Sequence, residues 1–309
     1  MKNKLLLKTV YLLITVFTFA LLFNSCKSCK SGGKGGDKEV PVEITEIDKE
    51  VLQDVNEAKK IFYSLPSPLE SALLIKSAGA TFNEELLNTT ANTSRYTTNK
   101  LMALNLGIYT CDLSFASLYD QTQLVIEYMS AAREMADGLG ILDAINEETI
   151  NKLEENINNR EVILDIVSET FLNSNSYLED NEQPAIASIV LIGGWVEGLY
   201  IATQLVDMDE FNSDKLVGRI IDQKLSVDIM LQLLKDNSEH PAVPEIIKQM
   251  EGLKVVFDKI NIKTTDIKPE IDEATNVTIL KSTIETDMTP DIFTELARKV
   301  EQIRSSYVK

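Results

Sequence analysis

The chain has 309 residues, with 30 Lys+Arg against 48 Asp+Glu, a single His, three Cys and 44% hydrophobic residues. That length and apolar share support a sizeable buried core and exclude a collagenous or largely disordered chain. The formal net charge of −18 argues against nucleic acid as a partner, because affinity for phosphate comes from Lys and Arg displacing counterions.

At the N-terminus, Lys2, Lys4 and Lys8 form a basic stretch, and residues 9–23 form an uncharged, mostly apolar run ahead of Cys26. This is the layout of a secretory signal. The run is about 15 residues long, short of the roughly 20 that cross a hydrocarbon core as a helix. Residues 22–26 (LFNSC) resemble a bacterial lipobox of the relaxed kind found in Bacteroidota. Ser25 fills the small-residue position before the cut, Phe23 stands where Leu is usual, and Asn24 where Ala, Ser or Thr is usual. The resemblance implies a signal peptide over residues 1–25 and a diacylglycerol on the thiol of Cys26. Acyl chains contribute about 0.8 kcal/mol per buried CH₂, so two or three of them hold a soluble body at a membrane without a spanning helix.

Removing residues 1–25 takes away three Lys and no acid, leaving 27 positive and 48 negative charges. Residues 26–38 then carry four Lys, one Asp and four Gly, a composition that reads as a flexible tether. Its Lys side chains suit anionic headgroups, while the acidic body is repelled from them; a plain solvated linker is the alternative. Surface-exported Bacteroidota lipoproteins tend to be acidic at this place, so the basic tether points to an outer-membrane lipoprotein facing the periplasm. Cys29 and Cys111 are the other thiols, too few for a disulfide framework. Cys111 lies in an apolar helical stretch and reads as a small buried hydrophobe.

From Glu39 to the end, the spacing predicts one all-α domain, a multi-helix bundle. Apolar residues recur at helical intervals: Val51, Val55, Ala58 and Phe62; Leu124, Tyr128, Ala131 and Met135; Ile150, Leu153 and Ile157; Leu225, Ile229 and Leu233. Breaks are predicted at 65–68, 88–98, 138–140, 173–184, 207–213 and 237–244. Pro184, Pro244 and Pro290 suit the first turn of a helix, and Thr289 caps a final helix ending near Tyr307. Residues 263–287, rich in Thr and Ile, predict a short extended or β excursion. An offset of 86 residues lays Gly107, Tyr109, Leu113, Phe115 and Ala116 over Gly193, Trp195, Leu199, Ile201 and Ala202. Either a duplicated helical hairpin or chance accounts for the likeness. In both cases glycine beside an aromatic ring suits two long helices that cross closely.

The segments 60–68 (KIFYSLPSP), 103–116 (ALNLGIYTCDLSFA), 156–160 (NINNR) and 191–200 (LIGGWVEGLY) resemble a family of Bacteroidota cell-envelope lipoproteins that carries no known activity. The likeness runs from about residue 51 to 307. It implies an anchored, all-α envelope protein and transfers no functional residue.

Few chemistries fit the side chains. Nucleophilic catalysis with a histidine base would need His240, which sits between helices in the turn 238–244 (SEHPAVP) and reads as an exposed loop residue. No Gly-x-Ser-x-Gly, phosphate-binding glycine loop or metal-ligand spacing is present. No catalytic residue, metal site or cofactor is therefore expected. Two acids do fall on apolar helix faces: Asp112 with Ile108, Phe115 and Tyr119, and Glu197 with Gly193, Gly194, Tyr200 and Ile201. One reading pairs each inside the core with a Tyr hydroxyl, the Trp indole, a helix end, or an Arg such as Arg95 or Arg133. The other makes a ligand groove in which Tyr109 and Trp195 stack a small molecule or glycan, Asp112 and Glu197 orient it, and Tyr200 borders it. A carboxylate-dependent glycan hydrolase is a remoter version of the second. Residues 37–57, acidic with a Val, Ile and Leu stripe, add a candidate docking helix. The expected role is a lipid-anchored binding or scaffolding module for another envelope protein.

Overall fold

The computed structural model describes residues 66–142, 147–264, 268–272, 277–281 and 284–309. The expected signal peptide, Cys26, the tether, the acidic stretch 37–57 and the helical pattern at 51–62 all lie outside the described residues.

The described body is an all-α bundle with a small β excursion near its end. Helix α1 (Pro68–Ser77) starts where sequence chemistry demands: Pro68 occupies the first turn, the Ser67 hydroxyl accepts from the Glu70 N–H, and the Glu70 carboxylate accepts from the Ser67 N–H. Two 3₁₀ turns, Glu84–Leu86 and Thr90–Arg95, follow, each opened by a side-chain cap from Asn83 or Thr89. Then come α2 (Asn99–Leu118), α3 (Thr122–Gly138), α4 (Glu147–Glu155), α5 (Arg160–Asp180), α6 (Pro184–Gln204), α7 (Lys215–Asp236) and α8 (Val243–Phe257). The excursion consists of two antiparallel pairs, one nested in the other by chain order. Strands β1 (Ile262–Thr264) and β4 (Ile284–Thr286) form the outer pair, β2 (Lys268–Asp272) and β3 (Val277–Lys281) the inner one. Helix α9 (Pro290–Tyr307) closes the chain with Thr289 accepting from the Ile292 N–H.

Helices α2 and α6 are the centre. Every residue of α2 from Ala103 to Leu118 is buried, so it has no solvent face and shows little amphipathic bias. The other helices surround this pair: α3 against α2, α7 and α9 against α6, α8 between α7 and α9, and α5 across both α2 and α6. One expected boundary moves. The break placed at 173–184 shrinks to residues 181–183, because α5 runs on to Asp180. Asn173 and its neighbours do not stop it, since Ser174 and Leu178 are buried and continue the stripe begun by Val167 and Phe171.

Candidate functional site

The two glycine-bearing helices cross as their sequences imply. A Cβ built on Gly107 would lie 2.0 Å from the carbonyl oxygen of Val190, and one on Gly193 would lie 2.1 Å from that of Leu104. No side chain fits at either point, and backbone meets backbone. By length and composition α2 and α6 could each cross a membrane, but 89% of each apolar window is buried inside the body. Their hydrophobicity is taken up by this contact. The crossing needs glycine on both sides whatever the origin of the 86-residue likeness.

The polar residues beside the crossing face inward and are bonded to the protein itself. Tyr109 donates its hydroxyl to the Thr89 carbonyl at 3.1 Å, with the rings of Tyr96 and Tyr128 6.3 and 6.1 Å away. Trp195 donates its indole N–H to Gln223 Oε1 at 2.9 Å. Glu197, fully buried, receives a two-pronged bond from Arg304 on α9, Nε to Oε2 and Nη2 to Oε1, both 2.9 Å. The same Nη2 also donates to the Leu86 carbonyl at 3.1 Å, and the guanidinium carbon sits 4.7 Å over the Tyr200 ring. A second set of bonds runs alongside: Asn88 Nδ2 donates to Tyr96 OH and Asn105 Oδ1, and Asn105 Nδ2 donates to the Tyr307 carbonyl. Together these bonds tie the two 3₁₀ turns and the end of α9 to α2 and α6.

Asp112 is the group the core satisfies least. Its Oδ2 accepts from the Asn88 N–H at 3.1 Å, and its Oδ1 has no donor among the described residues. Burial, and then the neighbouring Glu197 carboxylate, push its pKa well above the usual carboxylate range. A protonated Asp112 resolves the orphan atom, because its O–H can donate to Glu197 within this pair. Burial likewise raises the Cys111 thiol, which leaves it far from a reactive thiolate.

The ligand groove expected around Tyr109, Asp112, Trp195, Glu197 and Tyr200 is therefore absent as such. The first four are at most 1% exposed, and the hydrogen bonds they make go to protein partners instead of into a cleft. The same burial leaves no room for the water and sugar that a pair of hydrolytic carboxylates must hold between them. The arginine partner is Arg304, neither Arg95 nor Arg133. His240 stands in the α7–α8 turn, its Nδ1 accepting from the Ala242 N–H. Among the described residues, no three His, Cys, Asp or Glu are grouped to hold a metal ion.

A concave site lies elsewhere among the described residues, on the face covered by α5. A groove of about 430 Å³ opens between the start of α1, residues 167–179 of α5 and residues 184–191 of α6, with Thr110 on its floor. Leu69, Val167, Phe171, Leu172, Leu191 and Leu233 make it apolar, with serine hydroxyls and Glu70 and Glu179 among its polar groups. A smaller cavity of about 70 Å³ adjoins it, sharing Thr110, Val167 and Phe171. Leu172 on the groove is 51% exposed. Its signal in the sequence was the series Ser168, Leu172, Ser176 and Glu179 at helical spacing, one large apolar residue on an otherwise polar strip.

Fold and groove define, among the described residues, an all-α bundle with an apolar groove on its surface. No family model, curated protein or solved structure matches the chain.

Proposed function

We propose that this chain is a non-catalytic binding module of the cell envelope, held there by a lipid on Cys26, and that the α1–α5–α6 groove receives an apolar helix face of another envelope protein. The observation that carries the reading is the groove itself. Its volume of about 430 Å³ lies within the range of roughly 300–1,000 Å³ typical of ligand sites. Its lining supplies apolar contact, with serine hydroxyls and the carboxylates of Glu70 and Glu179 as its polar groups. The signal-like N-terminus, the lipobox resemblance and the acidic body support the envelope setting.

A second reading, a small amphiphilic ligand, draws on the neighbouring cavity of about 70 Å³, which shares Thr110, Val167 and Phe171 with the groove. One experiment separates the two. A photo-reactive phenylalanine analogue placed at Leu172 in living cells is expected to cross-link one envelope protein, and to lose that product when Cys26→Ala removes the anchor. A cross-link to lipid alone selects the amphiphile. No product from a fully activated probe overturns both.

A further inference from the structure

Another pocket, of about 230 Å³, lies where the turn from α2 to α3 meets the chain entering α5. Ser117, Asp120 and Thr122 line it from the turn, Asn158 and Arg160 from α5, and it shares no lining residue with the apolar groove. Its surface is mainly polar. The residue that asks for a ligand is Ser117, which is 2% exposed and whose hydroxyl has no hydrogen-bond partner among the described residues. Thr110 and Ser114 on the same helix donate their hydroxyls to the carbonyls of Leu106 and Thr110, so the helix offers a partner of that kind and Ser117 does not take it. A buried hydroxyl left unbonded carries a free-energy cost that a ligand oxygen in the pocket would recover.

Other donors meet at the same space. Helix α3 begins at Thr122 with no side-chain cap and no acid in its first turn, which leaves its leading N–H groups and the positive end of its dipole without a side-chain partner. Helices α6 and α8 also lack a side-chain cap, but each has proline in its first turn, which removes one N–H. Arg160 holds Asp120 through Nη1 alone, at 3.1 and 3.4 Å, and Nε and Nη2 take no part in that contact. The pair offsets the Asp120 charge, so the helix end sets the sign of the local field. We propose that this pocket binds a phosphate group, with the Ser117 hydroxyl, the first N–H groups of α3 and the Arg160 guanidinium as its donors. Phosphate presents several acceptor oxygens to donors that converge from different elements, and both a helix N-terminus and an arginine favour its charge. The volume holds the group together with several waters of about 30 Å³ each. Its source is either free phosphate or a lipid headgroup.

Calorimetric titration of the full chain in a maltoside detergent, at an ionic strength held constant with chloride, tests this with inorganic phosphate and with glycerol phosphate. Saturable binding of one equivalent is expected. Glycerol phosphate binding more tightly than phosphate assigns the headgroup as the source; otherwise the free anion is the ligand. Ser117→Ala removes one hydrogen bond to a charged group and should weaken binding about ten-fold. It should not lower the unfolding midpoint, because the hydroxyl it deletes is unbonded in the free chain. Gln121→Asp puts a carboxylate at the start of α3, where it caps the helix and should abolish binding while the chain stays folded. No saturable binding of either compound, or binding that either variant leaves unchanged, overturns the proposal.

Discussion

Where α2 meets α6, glycine takes the side chain out of the contact and the backbones touch. Where α5 crosses the same two helices, Val167 and Phe171 stand in the gap and a groove is left beside them. Both regions are apolar, so hydrophobicity does not distinguish them. The distance of approach does, and it is set by whether small residues occur on both facing helices. Close approach at the crossing brings the Asp112, Glu197 and Arg304 groups into a dry interior, where each polar atom must find a protein partner. The looser face tolerates hydroxyls and a half-exposed leucine because solvent or a ligand can reach them.

The crossing should fail sharply when its partners are removed. Arg304→Met keeps most of the side-chain volume and leaves Glu197 buried without its counter-charge. The expected loss is about 3–5 kcal/mol, read as a fall in the urea midpoint with an unchanged slope. Gly193→Ala comes next. The added Cβ would meet the Leu104 carbonyl at 2.1 Å, so the helices must separate, at a cost of about 3 kcal/mol. The same alanine change at Gly218, which has nothing within 4 Å, is the control and should be neutral or slightly stabilising. If Gly193→Ala cost no more than Gly218→Ala, the crossing would not be the tight element described above.

Asp112 gives an effect of opposite sign. Its folded pKa lies above the unfolded one, near 3.9, so the stability linked to its proton is complete below that value. It is lost as pH rises towards the folded pKa. Asp112→Asn retains an oxygen for the Asn88 N–H and supplies an N–H to Glu197 without binding a proton. The variant is therefore expected to be more stable than the parent at neutral pH, by on the order of 1 kcal/mol, with the gap closing as the pH falls to about 4. Chemical unfolding at several pH values between 4 and 8 checks this, and a gap independent of pH would mean that Asp112 is ionised in the fold.

Much of the fold was legible because its signals are local. Pro184 marks a helix start through its missing N–H, and Thr289 with Pro290 marks another through a cap bond within three residues. The close crossing was legible too, since a missing side chain is visible in a sequence as glycine. The site was not. Arg304 is 107 residues from Glu197, on a helix whose pattern looks like that of any surface helix, and no spacing rule joins the two. An acid on an apolar face signalled a special environment at Asp112 and Glu197, but the same signal suits a ligand site and a closed core network. Only the third dimension decides for the core. The groove left still less trace, because a void depends on how far apart helices sit, and the sequence spells only what lines them.

The smallest expected effect is the one that tells most about the open face. Leu172 is 51% exposed, and a leucine with half its surface in water should cost less than about 0.5 kcal/mol when changed to serine. Chemical unfolding of Leu172→Ser beside the parent checks this. A cost well above that value would mean that Leu172 packs more tightly than its exposure shows, and would bring the α5 wall closer to the packing of the glycine crossing.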